Sequence, residues 1–340
     1  MPLPVLVTGA TGFLGPYLVE RLIAHGALHI RCLVRASSDC SKLERIQQEH
    51  PNSRIEFIPG NMLSREDLAR AVAGVSHIYH LAAALRGSPA DMTLNTVVGS
   101  QRLLEAIGSL PIRVVLVSSF AVYGAAALPS NATIDEDTPL ETHPEKRDVY
   151  AQTKLRQETL FREYQQREHF ELVVLRPGVI YGPGGGAFSV RVGLQLPGLF
   201  LHLGGSNTLP LSYVENCAEA IVVAGMHPDS AGHTFNVHDN DLPTASQYLR
   251  QYRKAVRPIR RIRVPYRATQ LMSCFVEWYC ERARGQMPAV LTPYRTAAVW
   301  KAQRFDNAKL RAIGWQPSIT IREGLTRTFC DFSQHEGAGV

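Results

Sequence analysis

The sequence predicts an α/β protein with a Rossmann-type, doubly wound parallel sheet and a smaller, discontinuous C-terminal substrate lobe. Short apolar runs alternate with helical patterns through the first half of the chain, as they do where helices join parallel strands. A glycine-rich turn links the first apolar run to the first helical pattern. After residue 176 this alternation gives way to a stretch rich in Gly and Pro, residues 177–212.

Each element follows from its own pattern. Strands are predicted at 3–7, 30–34, 55–58, 78–81, 114–117 and 172–175. The run at 114–117 is wholly apolar, which is expected of a strand covered on both faces. Helical periodicity predicts helices at 17–25, 68–72, 97–107 and 150–164.

The composition fits a globular protein. The chain has 340 residues, of which 45% are hydrophobic and 19% charged, enough for one large domain or two moderate ones. Its net charge of +6 is modest, and favours either an anionic substrate or simply a slightly basic surface. No clustered basic face accompanies a nucleic-acid-binding motif, so we expect no nucleic-acid partner.

The cysteines point to a reducing compartment. All six are scattered, with no CxxC pair and no Cys/His cluster of the kind that binds metal. We therefore expect reduced, mostly buried thiols, no metal and a cytoplasmic location. The N-terminal residues run directly into a strand pattern instead of a secretory signal, and no apolar stretch reaches the roughly 18 residues of a membrane span.

The glycines of the first turn suit a phosphate-binding loop. They lie at positions 9, 12 and 15, between a strand and a helix. Gly9 permits a tight turn, Gly12 leaves room for a pyrophosphate, and Gly15 lets the helix pack closely on the strand. The N-terminus of the helix then presents free N–H groups to the phosphates. The spacing is G-x-x-G-x-x-G instead of the commoner G-x-G-x-x-G.

The end of the second strand favours NADP over NAD. An acidic side chain there would hold the ribose hydroxyls of NAD, but this strand ends C-L-V-R, with Val34 in that place. Arg35 pairs well with a 2′-phosphate, helped by Ser37 and Ser38. The plainer alternative is that Arg35 only solvates the end of the strand. We predict an NADP-binding Rossmann domain at 1–176, with segments near 211–240 returning to it, and a mainly substrate-binding lobe at 177–335.

Two segments predict acid–base chemistry. Tyr150 and Lys154 of Y-A-Q-T-K lie four residues apart and share a helix face. A neighbouring ammonium and an oxidised nicotinamide would lower the pKa of the tyrosine. The strand at 114–117 runs into Ser119, which the carboxyl edge of a parallel sheet would bring to the ligand crevice beside Tyr150.

These motifs resemble those of the extended short-chain dehydrogenase/reductase family, which includes nucleotide-sugar epimerases and 3β-hydroxysteroid-dehydrogenase-like reductases. The resemblance covers nearly the whole chain. The matching segments are T-G-A-T-G-F-L-G at 8–15, H-L-A-A at 80–83, N-T-V-V-G from Asn95, S-S-F-A-V-Y-G at 118–124, Y-A-Q-T-K at 150–154, R-P-G-V-I-Y-G-P at 176–183, L-S-Y-V-E-N-C-A-E-A at 211–220 and F-D-N-A-K-L-R-A-I-G-W-Q-P at 305–317.

The resemblance implies a site, residue by residue. The implied catalytic residues are Ser119, Tyr150, Lys154 and Asn95. The implied cofactor-binding residues are Thr8, Gly9, Thr11, Gly12, Phe13, Leu14, Gly15, Arg35, Ser38, Asn61, Met62, Leu81, Ala82, Ala83, Ser118, Tyr150, Lys154, Pro177, Gly178 and Val179. By analogy with family members, helices near 97–107 and 150–164 form a homodimer interface.

Two departures from the family pattern are informative. Gly60-Asn61 stands where the family often has Gly-Asp, so Asn61 can accept a hydrogen bond from the adenine but carries no charge. Phe120 and Ala121 follow Ser119, where sugar dehydratases usually have Asp-Glu. A dehydratase needs an additional acid to expel water, so this activity is disfavoured.

The substrate is less well defined. Candidate substrate contacts are Ser119, Phe120, Tyr123, Tyr181, Phe188 and Arg295. The apolar run at 192–203 either faces a lipophilic substrate or packs the small lobe. The run at 253–267 carries seven basic side chains, which suit a diphosphate, a membrane surface or a solvated edge strand. For the apolar and aromatic segment 271–279, packing against the core is the default, and capping a pocket or touching a membrane are the alternatives.

Three functions follow from these observations. The leading hypothesis is an NADP-dependent oxidoreductase that transfers hydride between the nicotinamide and a ketone or secondary alcohol of a small molecule, with Tyr150 as the acid–base group. The alternative is a nucleotide-sugar 4-epimerase with tightly bound NAD, which the Val34-Arg35 strand end disfavours. The third is a non-catalytic protein that senses the cofactor; such a protein has no need of Ser119, Tyr150 and Lys154 together.

Overall fold

The structure, a computed structural model, describes residues 3–168, 170–282 and 291–337. The strands are β1 Val5–Thr8, β2 His29–Val34, β3 Arg54–Pro59, β4 His77–His80, β5 Arg113–Val117, β6 Ala132–Ile134, β7 Glu171–Pro177, β8 Val179–Tyr181, β9 Gly193–Leu196, β10 Leu199–His202, β11 Leu211–Tyr213, β12 Thr234–Val237, β13 Arg261–Arg263 and β14 Gln303–Phe305. The helices are α1 Gly15–Ala24, α2 Ser41–Glu49, α3 Arg65–Val72, α4 Pro89–Thr93, α5 Gly99–Ile107, α6 Val149–Glu168, α7 Val214–Met226, α8 Ala245–Ala255, α9 Tyr266–Arg282, α10 Pro293–Trp300, α11 Ala308–Ala312 and α12 Ile321–Gly337.

A seven-stranded parallel sheet organises the molecule, in the order β12-β7-β5-β4-β1-β2-β3. Helices cover both faces, so the predicted Rossmann-type fold is confirmed. The strand order reverses between β1 and β4, and the carboxyl ends of strands at such a switch point border a ligand crevice. All six strands predicted in the first half belong to this sheet. The strand predicted at 3–7 begins and ends slightly later, at Val5–Thr8.

Two apolar layers hold the helices on the sheet. On one face, Val7 and Val115 pack with Leu18 of α1 and Ile221 of α7. On the other, Leu116 packs with Leu104 of α5 and Phe161 of α6. Neighbouring side chains along a strand point to opposite faces, so the apolar run of β5 supplies both layers at once.

The later part of the chain both returns to the sheet and adds smaller units. β12 pairs with β7 at one edge of the sheet. Leu325 and Phe329 of α12 lie in the same apolar layer as Leu18, so the C-terminal helix also packs on the half of the chain that carries the glycine loop. Three smaller sheets, β13-β10-β9, β11-β8 and β14-β6, complete the lobe. The boundary between cofactor and substrate domains stays a prediction.

The structure shows where the apolar and basic segments lie. The run at 192–203 becomes β9 and β10, and its Phe200 is fully buried in the lobe. Residues 261–263 of the basic run form β13, an exposed edge strand paired with β10. The default expectation for 271–279 is wrong, because Leu271, Phe275 and Trp278 of α9 face outward. Within the described residues, no helix is long and apolar enough to cross a membrane.

The described cysteines form no disulfide. Cys32, Cys217 and Cys280 are buried, whereas Cys274 and Cys330 are exposed and Cys40 is half-buried. The expectation of mostly buried thiols therefore holds for half of them.

Candidate active site

A cleft of about 640 Å³ lies at the carboxyl ends of β1, β4 and β5, within the usual size range of cofactor and ligand sites. Its walls come from the glycine loop, the ends of five strands of the sheet and the start of α6. The lining residues are Gly9, Thr11, Gly12, Phe13, Leu14, Gly15, Leu33, Arg35, Ser38, Gly60, Asn61, Met62, Leu81, Ala82, Ala83, Ala84, Leu85, Arg86, Asn95, Val117, Ser118, Ser119, Tyr150, Lys154, Pro177, Gly178 and Ile180.

The glycine loop forms one end of the cleft. Gly9 has φ +73° and a Cβ there would lie 2.9 Å from the backbone nitrogen of Ala82, so a side chain is excluded by both conformation and space. A Cβ on Gly15 would lie 2.2 Å from the Ala10 carbonyl oxygen. The Gly12 and Gly15 N–H groups donate within the loop, to the carbonyl oxygens of Gly9 and Gly12. The N–H groups of Phe13 and Leu14, just before α1, have no partner among the described residues and are available to an anion.

Arg35 and Asn61 border the part of the cleft beyond β2. Arg35 is exposed and makes no side-chain ion pair with any residue that the structure describes. The Oδ1 of Asn61 accepts a hydrogen bond from the Leu63 backbone at 3.0 Å, so this amide is held in a turn. A Cβ on Gly60 would collide with Asp67 and Leu33, which explains the glycine before Asn61.

Ser119 and Tyr150 meet at the other end of the cleft, where β5 ends and α6 begins. The Ser119 hydroxyl lies close enough to the Tyr150 phenol to influence its pKa, and the Ser119 Oγ accepts the Ala121 N–H at 3.1 Å. Burial raises the pKa of Tyr150, although the neighbouring Ser119 hydroxyl opposes this shift. The expectation that Lys154 lowers the pKa of Tyr150 is not met, because the lysine ammonium is directed elsewhere.

Lys154 is tied to the backbone of β5 and to its own helix. Its Nζ donates to the carbonyl oxygen of Val117 at 2.7 Å and to the Gln157 side-chain oxygen. Burial lowers the pKa of Lys154 to about 7, partly offset by the carboxylate of Glu158. The lysine is therefore poised to change charge near neutral pH.

A buried hydrogen-bond network continues from Lys154 to the glycine loop. Because an ammonium only donates, it faces the oxygen of Gln157, so the Gln157 NH₂ donates to the Ser100 Oγ at 2.8 Å. The His80 Nε2 lies 2.9 Å from the Ser100 Oγ and 3.1 Å from the Gln157 Nε2, and its Nδ1 is hydrogen-bonded to the Thr8 Oγ1 at 2.7 Å. Burial, then the charge of Lys154, lowers the pKa of His80 to about 3, so the imidazole is neutral.

Glu158 of α6 holds the segment that contains Ser118 and Ser119. It is fully buried, accepts the Ser118 hydroxyl at 2.6 Å and forms an ion pair with Arg176 at 2.6 Å. These hydrogen bonds and the Arg176 charge outweigh burial and lower the pKa of Glu158 to about 2. Ser118, adjacent to Ser119, is thereby fixed to α6.

Asn95 lies in a π-helical turn, Leu94–Val98, between α4 and α5. Its Nδ2 donates to the Asp91 carbonyl oxygen at 2.8 Å, and its side chain is exposed to the cleft. Such turns frequently occur at functional sites because they redirect a side chain out of the helical register.

The model of the NAD dependent epimerase/dehydratase family matches residues 5–237 of the chain. The chain belongs to this family. The resemblance to extended short-chain dehydrogenases/reductases is confirmed, and the protein is an NAD(P)-dependent enzyme.

Family members of two kinds are similar to the chain. An uncharacterized UDP-glucose epimerase of Bacillus subtilis is 30% identical over 248 residues, which is 68% of this chain and 76% of that protein. A decarboxylating sterol-4-alpha-carboxylate 3-dehydrogenase of Candida albicans is 27% identical, over 95% of this chain and 96% of its own. A solved structure of UDP-glucuronic acid 4-epimerase from Bacillus cereus in complex with NAD has a TM-score of 0.72 at 21% identity, covering 99% and 98% of the two chains.

The cleft of this family member fits a dinucleotide. The glycine loop excludes Cβ atoms at Gly9 and Gly15, and its Phe13 and Leu14 N–H groups have no partner among the described residues. The site runs from Arg35 at one end to Tyr150 and Ser119 at the other. A nucleotide with a pyrophosphate in its middle needs this combination of an anion-binding helix N-terminus and an elongated groove.

Some predicted residues of the epimerase/dehydratase fold lie outside the cleft lining. Thr8 faces His80 below the loop, and Val179 lies in β8 beside the lining residue Ile180. Phe120 stacks on Phe305 within a small apolar cluster. The Tyr123 hydroxyl donates to the Asn236 side chain at 2.6 Å.

The other candidate substrate-contacting side chains also contact other residues of the protein. Tyr181 is buried and lies 3.4 Å from the Asp239 carboxylate. Phe188 packs against Phe200 and Tyr252. Arg295 donates to the backbone carbonyl oxygens of residues 146 and 147. Of the proposed substrate contacts, Ser119 alone is among the cleft-lining residues.

Several lining residues of this family site were not predicted as site residues, namely Leu33, Gly60, Ala84, Leu85, Arg86, Val117 and Ile180. Most are direct neighbours of motif residues, so extension of each motif by one or two positions would have found them. Arg86 is the basic residue among them, and follows the H-L-A-A segment after β4.

Proposed function

We propose that this protein is an NADP-dependent oxidoreductase that transfers hydride between the nicotinamide and a ketone or secondary alcohol of a small molecule. The observation that carries the proposal is the Ser119–Tyr150 hydroxyl pair at the end of the cleft. Burial keeps the pKa of Tyr150 above its usual value, so the phenol is protonated at neutral pH and ready to donate.

Tyr150 and Ser119 have different roles at the reacting oxygen of the substrate. The nicotinamide, when bound, supplies or accepts the hydride. In reduction, Tyr150 donates its proton to the substrate oxygen, which Ser119 orients by hydrogen bonding. In oxidation, the same phenol oxygen takes the alcohol proton. Such positioned proton transfer accelerates reactions by about 10²–10⁴-fold.

The proposal of NADP rests on the end of β2. Val34 is buried there and Arg35 is exposed at the cleft, without a carboxylate in the position that would accept ribose hydroxyls. A guanidinium beside Ser38 matches a 2′-phosphate in charge and hydrogen-bonding geometry. NAD remains the competing cofactor in the test below.

Calorimetric titration of NADPH and NADH tests the cofactor. Wild type should bind NADPH more tightly, and Arg35→Ala should reduce that preference by at least about tenfold, as for one lost charge-assisted contact of 1.5–3 kcal/mol. Arg45→Ala, an exposed arginine of α2, is the matched control and should retain the preference. Equal or tighter binding of NADH by wild type would contradict the NADP assignment.

A second candidate function is nucleotide-sugar 4-epimerization with tightly bound NAD. The similarity to a UDP-glucose epimerase supports it, whereas similarity over nearly the full length to a sterol dehydrogenase supports the oxidoreductase. The two differ in whether the cofactor leaves with the product. NAD released only on denaturation of the purified protein, with no turnover of added NADPH and ketones, would favour the epimerase.

A non-catalytic sensor is distinguished by turnover. NADPH consumption with a panel of ketones, lost in Tyr150→Phe while NADPH binding persists, would support the enzyme.

The predicted cytoplasmic location stays a proposal, and so does the homodimer. The helices proposed for its interface, α5 and α6, lie beside each other on one face of the sheet. Sedimentation velocity measures the dimer directly.

A further inference from the structure

Helix α9 carries its large apolar side chains on the outside. Leu271, Phe275, Trp278 and Tyr279 are each about half exposed or more, with relative exposures of 74%, 64%, 47% and 51%. Met272 is exposed to a similar degree. Contiguous exposed apolar patches of this kind mark interaction sites, because water does not solvate them favourably.

The residues on the inward face of α9 explain why its large apolar side chains lie on the outside. Thr269, Ser273 and Cys280, which are small, are the buried residues of the helix. Thr269 and Ser273 turn their hydroxyls back to carbonyl oxygens of residues 265 and 270. At 100° per residue, the outward residues, Arg267 and Arg282 included, span an arc of about 140° that does not overlap the buried one. The helix is therefore amphipathic, with its apolar face turned away from the protein.

Basic residues border the apolar face at both ends. Arg267 and Arg282 share its arc, in the first and last turns of the helix. The Arg282 guanidinium lies 4.2 Å from the centre of the Trp278 ring, and Phe275 stacks on the same ring at 5.7 Å. A band of aromatic and aliphatic side chains flanked by arginines is typical of helices that lie in a lipid interface.

The preceding strand adds to the positive charge. β13 is an exposed edge strand, and Arg261 and Arg263 make no ion pair with any part of the chain that the structure describes. Burial lowers the pKa of His202, and the charges of Arg261 and Arg263 add to this shift. Chain connectivity keeps Arg263 within about 14 Å of Arg267, so the charges of the strand lie near the first turn of the helix.

We propose that α9 and β13 form a docking surface for an anionic lipid membrane. The helix lies in the plane of the interface, with Leu271, Phe275 and Trp278 in the headgroup–acyl boundary and the arginines against lipid phosphates. A second copy of this chain fits less well: an antiparallel pairing of α9 helices would bring Arg267 of one copy towards Arg282 as well as the exposed Glu281 of the other. An anionic lipid surface complements all the arginines of the helix and strand.

Vesicle binding tests the proposal. Full-length protein is mixed with vesicles of phosphatidylcholine alone or with about one-third phosphatidylserine, and binding is measured by co-sedimentation. We expect binding to the anionic vesicles only. Trp300 and Trp315 are buried, so a blue shift of fluorescence on binding reports insertion of Trp278.

Matched variants locate the surface. Leu271→Asp with Phe275→Asp should weaken binding at least about tenfold, and Arg261→Gln with Arg263→Gln by about fivefold for each arginine. Leu28→Asp, at another exposed leucine, and Arg45→Gln are controls that should bind like wild type. An unchanged circular dichroism spectrum and thermal unfolding midpoint show that each variant is folded.

Three results would overturn the proposal. One is equal binding of wild type and the α9 variant to anionic vesicles. Another is binding that does not depend on phosphatidylserine. The third is no vesicle binding together with self-association that the α9 variant abolishes, which would assign this face to a second copy. None of these outcomes depends on the proposed enzymatic reaction.

Discussion

The Nζ of Lys154 donates to the backbone carbonyl oxygen of Val117 at 2.7 Å. This contact joins helix α6 to the last residue of β5, directly before the serines that face the cleft. The relative position of Tyr150 and Ser119 is therefore set by a side chain that reaches across from the same helix. Its remaining partner, Gln157, connects it to the glycine loop through His80.

Gln157 should tune the charge of Lys154. Gln157→Glu places a carboxylate beside the ammonium and should raise its pKa from about 7 by about 1–3 units, as an adjacent opposite charge does. Gln157→Leu removes the acceptor and should lower this pKa. The pH dependence of kcat/KM measures both shifts. Gln166→Glu, exposed on the same helix, should leave the profile unchanged, and unchanged profiles in both Gln157 variants would contradict the assignment.

Removal of the Tyr150 or Ser119 hydroxyl should lower the catalytic rate without weakening cofactor binding. Tyr150→Phe is expected to lower kcat by about 10²–10⁴-fold, while Ser119→Ala loses a hydrogen bond of roughly 1–3 kcal/mol and about ten- to a hundredfold in kcat. Cofactor affinity should change little in either variant. Tyr164→Phe, on the same helix and half-buried, is the control; a comparable loss in that variant would point to damage of the helix and not to lost chemistry.

The two reaction directions should respond differently to pH. Because burial raises the pKa of Tyr150, the phenol is protonated through the neutral range. Alcohol oxidation needs the deprotonated phenol, so its rate should rise as pH increases above neutrality, whereas ketone reduction should not. Initial rates in both directions over a pH series measure this. An oxidation rate that is highest below neutrality would contradict the role of Tyr150 as base.

Glu158 should stabilise the fold strongly. Its pKa is lowered from 4.5 to about 2, so its contribution is complete above about pH 4.5 and is lost as pH falls towards 2. Glu158→Gln leaves Arg176 buried without its carboxylate and should lower the free energy of unfolding by about 3–5 kcal/mol. Urea unfolding at neutral pH measures this loss. Glu163→Gln, in an exposed ion pair with Arg156, should cost less than about 1 kcal/mol.

Substitution of Gly12 and of Gly15 by alanine should have different effects. A Cβ on Gly15 would lie 2.2 Å from the Ala10 carbonyl oxygen, so Gly15→Ala should lower thermal stability as the helix moves off the strand. A Cβ on Gly12 comes within 3.2 Å of the Gly9 oxygen only, so Gly12→Ala should fold but bind NADPH more weakly. Gly186→Ala has open space and should resemble wild type. Equal stability loss at Gly12 and Gly15 would contradict this division.

The apolar alternation and the glycine spacing were enough to predict the sheet and its phosphate loop. These signals are local: a strand covered on both faces is apolar throughout, as at β5, and a turn that excludes a Cβ needs glycine, as at Gly9. The four-residue spacing of Tyr150 and Lys154 likewise predicted that they share a helix face. It did not predict the direction of the ammonium, which depends on Val117.

By itself, then, the sequence determined the Rossmann-type sheet, the glycine loop and the serine and tyrosine that face each other. Tertiary structure alone decided the link from Lys154 through Gln157 and His80 to Thr8, which joins residues 72 and 77 positions apart. It also turned the apolar face of α9 outward. Periodicity states which residues share a face, whereas the partner of that face is fixed by packing between distant segments of the chain.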